Sequence, residues 1–150
     1  MRFVIQRVSE ASVTIDSVIC AQIQKGFLVL FGVEELDTKD DVDWLCQKLI
    51  GMRIFSDADD KLNLSLQDIN GDILLVSQFT LFASTKKGNR PSFIKSAKPE
   101  IAIPLYEYCI QQLTQLLNKP IQTGKFGANM KVALINDGPV TILIDSKNRE

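Results

Sequence analysis

The chain has 150 residues, of which 45% are hydrophobic and 23% are charged, and its formal net charge is −1. This length allows one ordinary hydrophobic core and is short for two, so we expect a single domain over residues 1–150. The absence of histidine excludes Ser-His-Asp and Cys-His nucleophilic systems as well as zinc held by histidine.

The first part of the chain predicts a meander of short strands. Residues 3–8 and 11–15 alternate between apolar and polar side chains, and Ser9-Glu10 between them is consistent with a tight connection. Residues 18–24 continue the pattern, and residues 26–33 form a short apolar run that is typical of a strand covered on both faces.

The rest of the chain predicts two amphipathic helices and further strands. Apolar residues recur at helical spacing after an acidic start at 34–37, and again after Pro99. Residues 74–83 read as a strand, and residues 130–135 and 140–145 read as the two halves of a hairpin. This pattern predicts an α+β fold, with a curled, mostly antiparallel sheet as a barrel-like core and two amphipathic helices packed on it.

The chain carries no sign of export or of a membrane span. Its longest apolar run is far below the roughly 20 residues that a membrane-spanning helix needs, and its N-terminus has no apolar signal-peptide core. Cys20, Cys46 and Cys109 form no Cys-x-x-Cys pair, which suits small buried side chains in a reducing compartment. We expect a cytoplasmic protein without membrane contact, metal or cofactor.

Polar residues interrupt an apolar stretch at Ser77-Gln78-Phe79-Thr80. In a strand these side chains would point to both faces of the sheet. A buried amide or hydroxyl without a partner costs about 1–3 kcal/mol, so each of them needs a hydrogen bond or a place beside a cavity. The spacing leaves two interpretations open: a strand whose polar groups bond to neighbouring strands, and a functional site.

A basic segment precedes the second helix, although the protein is slightly acidic overall. Lys86, Lys87, Arg90 and Lys95 lie close together in the sequence. Such a run is most often a solvated loop, but a local basic patch also fits the binding of phosphates at one face of a protein. Both interpretations stay open at this point.

Two glycine-containing segments near the C-terminus are further candidates. The segment NDGPVT at residues 136–141 has the residues of a hairpin turn, and its Gly-Pro pair also permits a cis peptide. The segment TGKFGANM at residues 123–130 does not follow a strand and open a helix as a nucleotide-binding loop does. We consider it the rim of a pocket that Phe126 and Met130 border.

Four motifs together resemble the D-aminoacyl-tRNA deacylase family, and the resemblance runs along essentially the whole chain. They are IQRVSEASVTI at residues 5–15, SQFTL at residues 77–81, KGNRPSF at residues 87–93 and NDGPVT at residues 136–141. The pairing of SQFTL with NDGPVT at this separation is specific. The resemblance implies an enzyme that hydrolyses the ester bond of D-aminoacyl-tRNA and releases free D-amino acid and tRNA.

The resemblance also implies roles for individual residues, in a homodimer whose active sites lie at the subunit interface. In each site the SQFTL strand of one subunit would meet Gly138-Pro139, in the cis form, of the other. The implied set is Ser77, Gln78, Phe79 and Thr80 in the pocket for the 3′-terminal adenosine, Phe126 and Met130 at its border, Arg7 orienting the Gly-Pro unit, and Lys86, Lys87 and Arg90 on acceptor-stem phosphates. Of these, Gln78, Phe79 and Thr80 would be catalytic.

The chemistry implied by the resemblance needs no histidine. Backbone N–H groups at the strand end, together with the Thr80 hydroxyl, would stabilise the charge that develops on the ester carbonyl, at about 3–4 kcal/mol for each donor. Thr80 itself lacks the usual activator of a nucleophile, so we favour a passive role for it. The ribose 2′-OH of the substrate would position or activate the attacking water.

The implied selection between D- and L-amino acids is steric. Main-chain carbonyls of Gly138-Pro139 would meet a side chain of the L configuration, whereas a side chain of the D configuration points away. Glycine has no side chain to reject, so glycyl-tRNA, such as glycine mischarged on tRNA-Ala, would also be hydrolysed.

Two other functions compete with this interpretation. In the first, the protein is a non-catalytic module that binds the end of an RNA, and its polar strand only contacts the terminal adenosine. In the second, it is a small-molecule hydrolase that uses paired carboxylates such as Asp137 and Asp145, although no spacing argument makes these two converge.

Overall fold

The computed structural model describes residues 1–149. Within this range the chain forms eight β-strands, two α-helices and one short 3₁₀ helix. In chain order they are β1 (Arg2–Ile15), β2 (Val18–Ile23), β3 (Gly26–Gly32), α1 (Lys39–Gly51), β4 (Phe55–Ser56), β5 (Leu62–Leu64), β6 (Asp72–Ser77), the 3₁₀ helix (Phe79–Phe82), α2 (Pro99–Leu117), β7 (Gln122–Thr123) and β8 (Lys131–Asp145).

β1 organises the main sheet, because it pairs antiparallel with β2, β3 and β8. Its first half lies between β3 and β8, and its second half lies between β2 and β8. β3 then pairs parallel with β6, and β6 pairs parallel with β7. The sheet is therefore mixed but mostly antiparallel, and it curls until it is nearly closed into a barrel, which confirms the predicted fold class.

The long apolar run of β3 is covered on both faces, as predicted. Phe27, Val29 and Phe31 belong to the cluster that includes the buried faces of the helices, whereas Leu28 belongs to a second cluster on the opposite face of the sheet. Because successive side chains of a strand point to opposite faces, one continuous apolar run supplies both clusters.

α1 and α2 pack against each other and cover one face of the sheet, so the predicted amphipathic pair is confirmed. Their buried apolar side chains join the larger core cluster; they include Val42, Leu45 and Leu49 from α1 and Ala102, Leu105 and Leu113 from α2. Burial of each large apolar side chain stabilises the fold by about 1.5–3 kcal/mol. No helix within residues 1–149 is long and apolar enough to cross a membrane.

The cysteines differ in their surroundings. Cys46 and Cys109 are buried where α1 meets α2, and their Sγ atoms lie 3.7 Å apart. Cys20 is exposed on β2, so the expectation that all three are buried is wrong for this residue. β2 lies at the end of the strand order, where the outward-facing side chains of a strand meet solvent.

Ser9-Glu10 does not form the predicted connection, because β1 runs unbroken from Arg2 to Ile15. Both residues are exposed, and the register of β1 against β8 shifts beside them. On its other side β1 changes partner here, since Val8 pairs with β3 and Ala11 pairs with β2. The polar pair thus marks a β-bulge at which the strand changes neighbours.

The predicted C-terminal hairpin is also wrong, because β8 is one continuous strand. Gln6 of β1 pairs with Thr141 and Val8 pairs with Asn136, so residues 137–140 bulge from the ladder opposite Arg7. The two halves of β8 do not fold back on each other. Both pair with β1, which is long enough to bind them in succession.

Candidate active site

A cavity of about 640 Å³ opens where β6 ends. Three segments form its wall: the end of β6, the stretch that leads into α2, and the loop before β8. Five of the predicted site residues line it, namely Ser77, Gln78, Phe79, Phe126 and Met130. Two smaller cavities, of about 370 and 310 Å³, contain none of the predicted site residues.

β6 ends earlier than predicted, and this is what creates the mouth of the cavity. The last β6 residue is Ser77, the Gln78 N–H then donates to the Phe31 carbonyl at 2.7 Å, and the chain turns into the 3₁₀ helix. The turn packs closely on Gly32 at the end of β3, where a Cβ atom would lie 2.9 Å from the Cβ of Leu81. The prediction of a strand through residue 83 is wrong, because its neighbour β3 ends at this glycine.

The turn leaves two backbone donors without protein acceptors. The Leu81 N–H donates to the Gln78 carbonyl at 3.3 Å, and the Ala83 N–H donates to the Thr80 carbonyl at 3.0 Å. Among the described residues, the N–H groups of Phe79 and Thr80 donate to no carbonyl or side chain. Unpaired amides beside a cavity are suited to bind an oxygen of a ligand.

The polar side chains of the turn are paired with each other. The Gln78 side-chain amide donates to the Thr80 hydroxyl oxygen, so this threonine keeps its own hydrogen free to donate. Thr80 is not among the residues that line the cavity wall, although both residues that precede it are. The strand interpretation is therefore wrong for these side chains, because the Gln78 amide and the Thr80 hydroxyl bond to each other in the turn, while Phe79 lines the cavity.

Phe93 and Ser96 belong to this site and were not predicted as part of it. The ring of Phe79 is 57% exposed and packs edge-to-face on the Phe93 ring, with the ring centres 5.2 Å apart. The Ser96 hydroxyl donates to the Phe79 carbonyl at 2.7 Å. Phe93 ends the KGNRPSF motif, which is a usable signal, but nothing in the sequence marks Ser96.

The basic loop lies next to the cavity. It leaves the 3₁₀ helix and returns at Phe93, and two backbone hydrogen bonds of 2.8 and 2.9 Å between Ser84 and Ser92 close its base. Lys86, Lys87 and Arg90 are exposed on it. Within the described part of the chain these three form no ion pair, so their charges are available to a ligand.

Gly138 and Pro139 do not line the cavity of their own chain. Both are exposed at the bulge of β8, and the peptide bond between them is cis. Gly138 has φ of 132°, a backbone conformation that favours glycine. Arg7 lies against this bulge, since its Nε donates to the Asp137 carbonyl at 2.8 Å.

The paired carboxylates of the small-molecule hydrolase do not meet. Asp145 pairs with Arg2 of β1, whereas Asp137 lies in the bulge opposite Arg7, so about five residues of strand separate them, on the order of 17 Å. Asp145 instead accepts a hydrogen bond from Arg2 at 2.7 Å. Burial alone would raise the pKa of Asp145, but the hydrogen bonds from Arg2 and from the Lys147 backbone outweigh it and lower the pKa. This alternative is therefore wrong.

No group of three or more Cys, Asp or Glu side chains within residues 1–149 is arranged to hold a metal ion. The polar groups of the side chains that line the cavity are the amides of Gln78 and Asn129, the hydroxyls of Ser77 and Ser96 and the ammonium of Lys98, and four phenylalanine rings also line it.

The sequence and the fold both match known proteins. The family model described as D-Tyr-tRNA(Tyr) deacylase matches residues 4–145. Two curated relatives named D-aminoacyl-tRNA deacylase align over all 150 residues and cover 100% of both chains: the protein of Flavobacterium psychrophilum is 64% identical and that of Bacteroides fragilis is 59% identical.

Two solved structures share the fold. The c-Myc DNA unwinding element binding protein superposes with a TM-score of 0.90 at 38% identity, covering 97% of this chain and 98% of that one. A probable eukaryotic D-amino acid tRNA deacylase superposes with a TM-score of 0.80 at 17% identity, covering 95% of this chain and 97% of that one, and supports the fold alone.

Proposed function

The chain belongs to the D-aminoacyl-tRNA deacylase family, whose members hydrolyse aminoacyl-tRNA, and from this premise we propose that its catalytic site is the cavity at the end of β6. The observation that carries the proposal is the pair of unpaired N–H groups of Phe79, which lines this cavity, and of Thr80, the next residue of the turn. The whole chain would act as one deacylase domain in the cytoplasm, and the reaction would remove wrongly attached D-amino acids from tRNA.

The two amides would stabilise the transition state of ester hydrolysis. Water adds to the carbonyl carbon of the ester, and the carbonyl oxygen becomes a negatively charged oxygen that the N–H groups of Phe79 and Thr80 bind. The bond to the ribose oxygen then breaks, and that oxygen takes the proton that the attacking water gives up and becomes the free hydroxyl of the tRNA. Preorganised donors of this kind contribute about 3–4 kcal/mol each.

The attacking water would be oriented by the substrate itself. The chain has no histidine, and the Thr80 hydroxyl is hydrogen-bonded to the amide of Gln78, which is not a base. The 2′-OH of the terminal ribose is adjacent to the ester and can accept a hydrogen bond from the water. Thr80 would then donate a hydrogen bond without forming a covalent intermediate.

The filter against L-amino acids would come from a second copy of the chain. Gly138-Pro139 is exposed on β8 and lies outside the cavity wall of its own chain, so a homodimer would be needed to bring it to the site of the partner. The same strand exposes the apolar side chains of Ile135 and Leu143, at 54% and 60%, which supports a contact there.

This filter would exclude by clash and would not select a particular side chain. The carbonyls of Gly138-Pro139 would meet the side chain of an L-amino acid, while D-Tyr, D-Phe and D-Asp would all fit. Glycine would pass as well, so glycyl-tRNA mischarged on tRNA-Ala would be a substrate. Hydrolysis of D-Tyr-tRNA with D-Phe-tRNA and D-Asp-tRNA left intact would contradict exclusion.

The basic loop would hold the acceptor stem. Lys86, Lys87 and Arg90 are exposed beside the cavity and unpaired within the described residues, so they would contact phosphates without reading the sequence of the stem.

The deciding experiment compares release of amino acid from D-Tyr-tRNA and L-Tyr-tRNA. We expect rapid hydrolysis of the D form alone by the native protein, and weaker discrimination by Pro139→Ala. Pro120→Ala is the matched control, because this proline is exposed between α2 and β7 and lines none of the cavity. Binding of tRNA without release from either ester would support the non-catalytic RNA-end-binding module instead.

A further inference from the structure

The peptide unit that joins Phe79 to Thr80 is anchored at one end and open at the other. At its carbonyl end, the Ser96 hydroxyl donates to the Phe79 oxygen at 2.7 Å. At its amide end, the Thr80 N–H has no acceptor among the described residues. The Ser96 hydroxyl therefore contacts the same peptide unit whose N–H, that of Thr80, is one of the two proposed catalytic donors.

A peptide unit is planar, so an anchor on its oxygen also limits the direction of its N–H. A hydrogen bond to the carbonyl further polarises the amide and makes the N–H a stronger donor. The i→i+3 pattern of the 3₁₀ helix also directs the N–H of Phe82 to the Phe79 carbonyl. The Ser96 hydroxyl therefore gives this carbonyl a second hydrogen bond.

Ser96 is itself held by the sheet. Its backbone N–H donates to the Phe93 carbonyl at 3.0 Å, and the next residue, Ala97, donates to the Val33 carbonyl at 2.9 Å. Ser96 also forms an isolated antiparallel bridge with Glu34. These contacts fix the hydroxyl to the end of β3, the strand that runs beside β6, so the anchor and the catalytic turn share one rigid base.

We propose that Ser96 is a positioning residue for deacylation: its hydroxyl sets the orientation and the donor strength of the Thr80 N–H through the shared peptide unit. The inference rests on the proposed function of that amide. The hydrogen bond from Ser96 acts on an N–H that would bind the negatively charged oxygen. Because that charge develops only as the reaction proceeds, loss of the bond should lower the rate of hydrolysis more than the binding of the ester.

The kinetic test compares Ser96→Ala and Ser96→Thr with the native protein on D-Tyr-tRNA. We expect the alanine variant to lower kcat about three- to tenfold with little change in KM, and the threonine variant, which keeps a hydroxyl, to restore most of the rate. The control is Ser92→Ala, which removes a hydroxyl from the same segment but none that contacts the turn. Equal kcat in Ser96→Ala and Ser92→Ala would overturn the proposal.

A second measurement does not depend on activity. In the carbon-13 spectrum of the protein, the Phe79 carbonyl resonance should move in Ser96→Ala and stay in place in Ser92→Ala, because only the first variant removes a hydrogen bond to that oxygen. A resonance that moves with kcat unchanged would show that the bond exists and does not assist catalysis. If the native protein itself released no D-Tyr, the proposed function would fail first, and the inference with it.

Discussion

Arg7 donates a hydrogen bond from Nε to the backbone carbonyl of Asp137, 2.8 Å away, and thereby holds the residue that precedes Gly138. Its Nη1 donates to the Ile54 carbonyl at 2.6 Å. Arg7 is only 8% exposed, so a planar, charged group bridges two buried or half-buried carbonyls beside the bulge of β8. Arginine suits this task because its donors lie in a fixed fork.

Replacement of Arg7 by lysine should destabilise the bulge without removing the charge. A single ammonium does not reproduce the two diverging hydrogen bonds, so one carbonyl loses its partner. We expect the free energy of unfolding to fall by about 1–3 kcal/mol in urea titrations. We also expect more hydrolysis of L-Tyr-tRNA relative to D-Tyr-tRNA, because Gly138 loses its support.

The matched control is Arg53→Lys. Arg53 also donates from its guanidinium to a backbone carbonyl, that of Asn63, but it is exposed and far in sequence from β8. An equal loss of discrimination in both variants would show that the contact between Arg7 and Asp137 does not orient the filter.

Two substitutions of Thr80 distinguish a hydrogen-bonding role of this residue from a nucleophilic role. Thr80→Ser keeps a hydroxyl that accepts from Gln78, so we expect activity within a few-fold of the native protein. Thr80→Val removes the hydroxyl at nearly constant volume, and we expect a decrease of roughly tenfold or more in kcat. Single-turnover kinetics with labelled D-Tyr-tRNA measure both. A trapped aminoacyl ester on Thr80 would overturn the passive role.

The basic loop should determine the salt dependence of tRNA binding. Lys86→Ala/Lys87→Ala removes two exposed, unpaired charges, so the slope of log affinity against log salt should decrease in magnitude by about 1–2. Binding titrations between low and moderate salt measure this slope. Lys48→Ala/Lys61→Ala removes two exposed lysines outside the loop and should leave it unchanged. An unaltered slope in the loop variant would place the acceptor stem elsewhere.

A buried acidic group near the N-terminus makes the stability depend on pH. Lys147 donates from Nζ to Asp41 at 2.8 Å. Burial alone would raise the pKa of Asp41, but hydrogen bonds from Lys147, Ser146 and the Thr38 backbone and the charge of Lys147 outweigh it and lower the pKa from 3.8 to about 2. Because the pKa is lower in the folded state, the stabilisation is present above pH 4 and is lost as the pH falls toward 2.

Lys147→Met tests this contact. The ammonium is 45% exposed, so solvent screens it, and we expect a loss of about 1 kcal/mol in the free energy of unfolding at pH 7. The difference from the native protein should shrink as the pH falls below 4, because Asp41 becomes protonated in both proteins. Urea titrations at pH 7, 4 and 3 measure it, with the exposed Lys61→Met as control. A difference that is independent of pH would exclude the carboxylate as the cause.

The sequence by itself determined the local structure, because the signals for it are local. The alternation in residues 3–15 and the apolar run of β3 identify strands, and the spacing of apolar residues identifies both helices. The absence of histidine left carboxylates, hydroxyls, lysine, backbone amides and groups of the substrate as the possible sources of catalysis. The four motifs identified the family.

Only the tertiary structure decided how these segments meet. Side chains alternate with a period of two residues both in a hairpin and in one long strand. The sequence therefore could not distinguish two short strands joined by a turn from the continuous strand β8. The end of β6 depends on where its neighbour β3 ends, and the separation of Asp137 from Asp145 depends on β8 staying extended along β1. Ser96 reaches the Phe79 carbonyl from 17 residues away. Such contacts arise from pairing between distant segments, which no local pattern encodes.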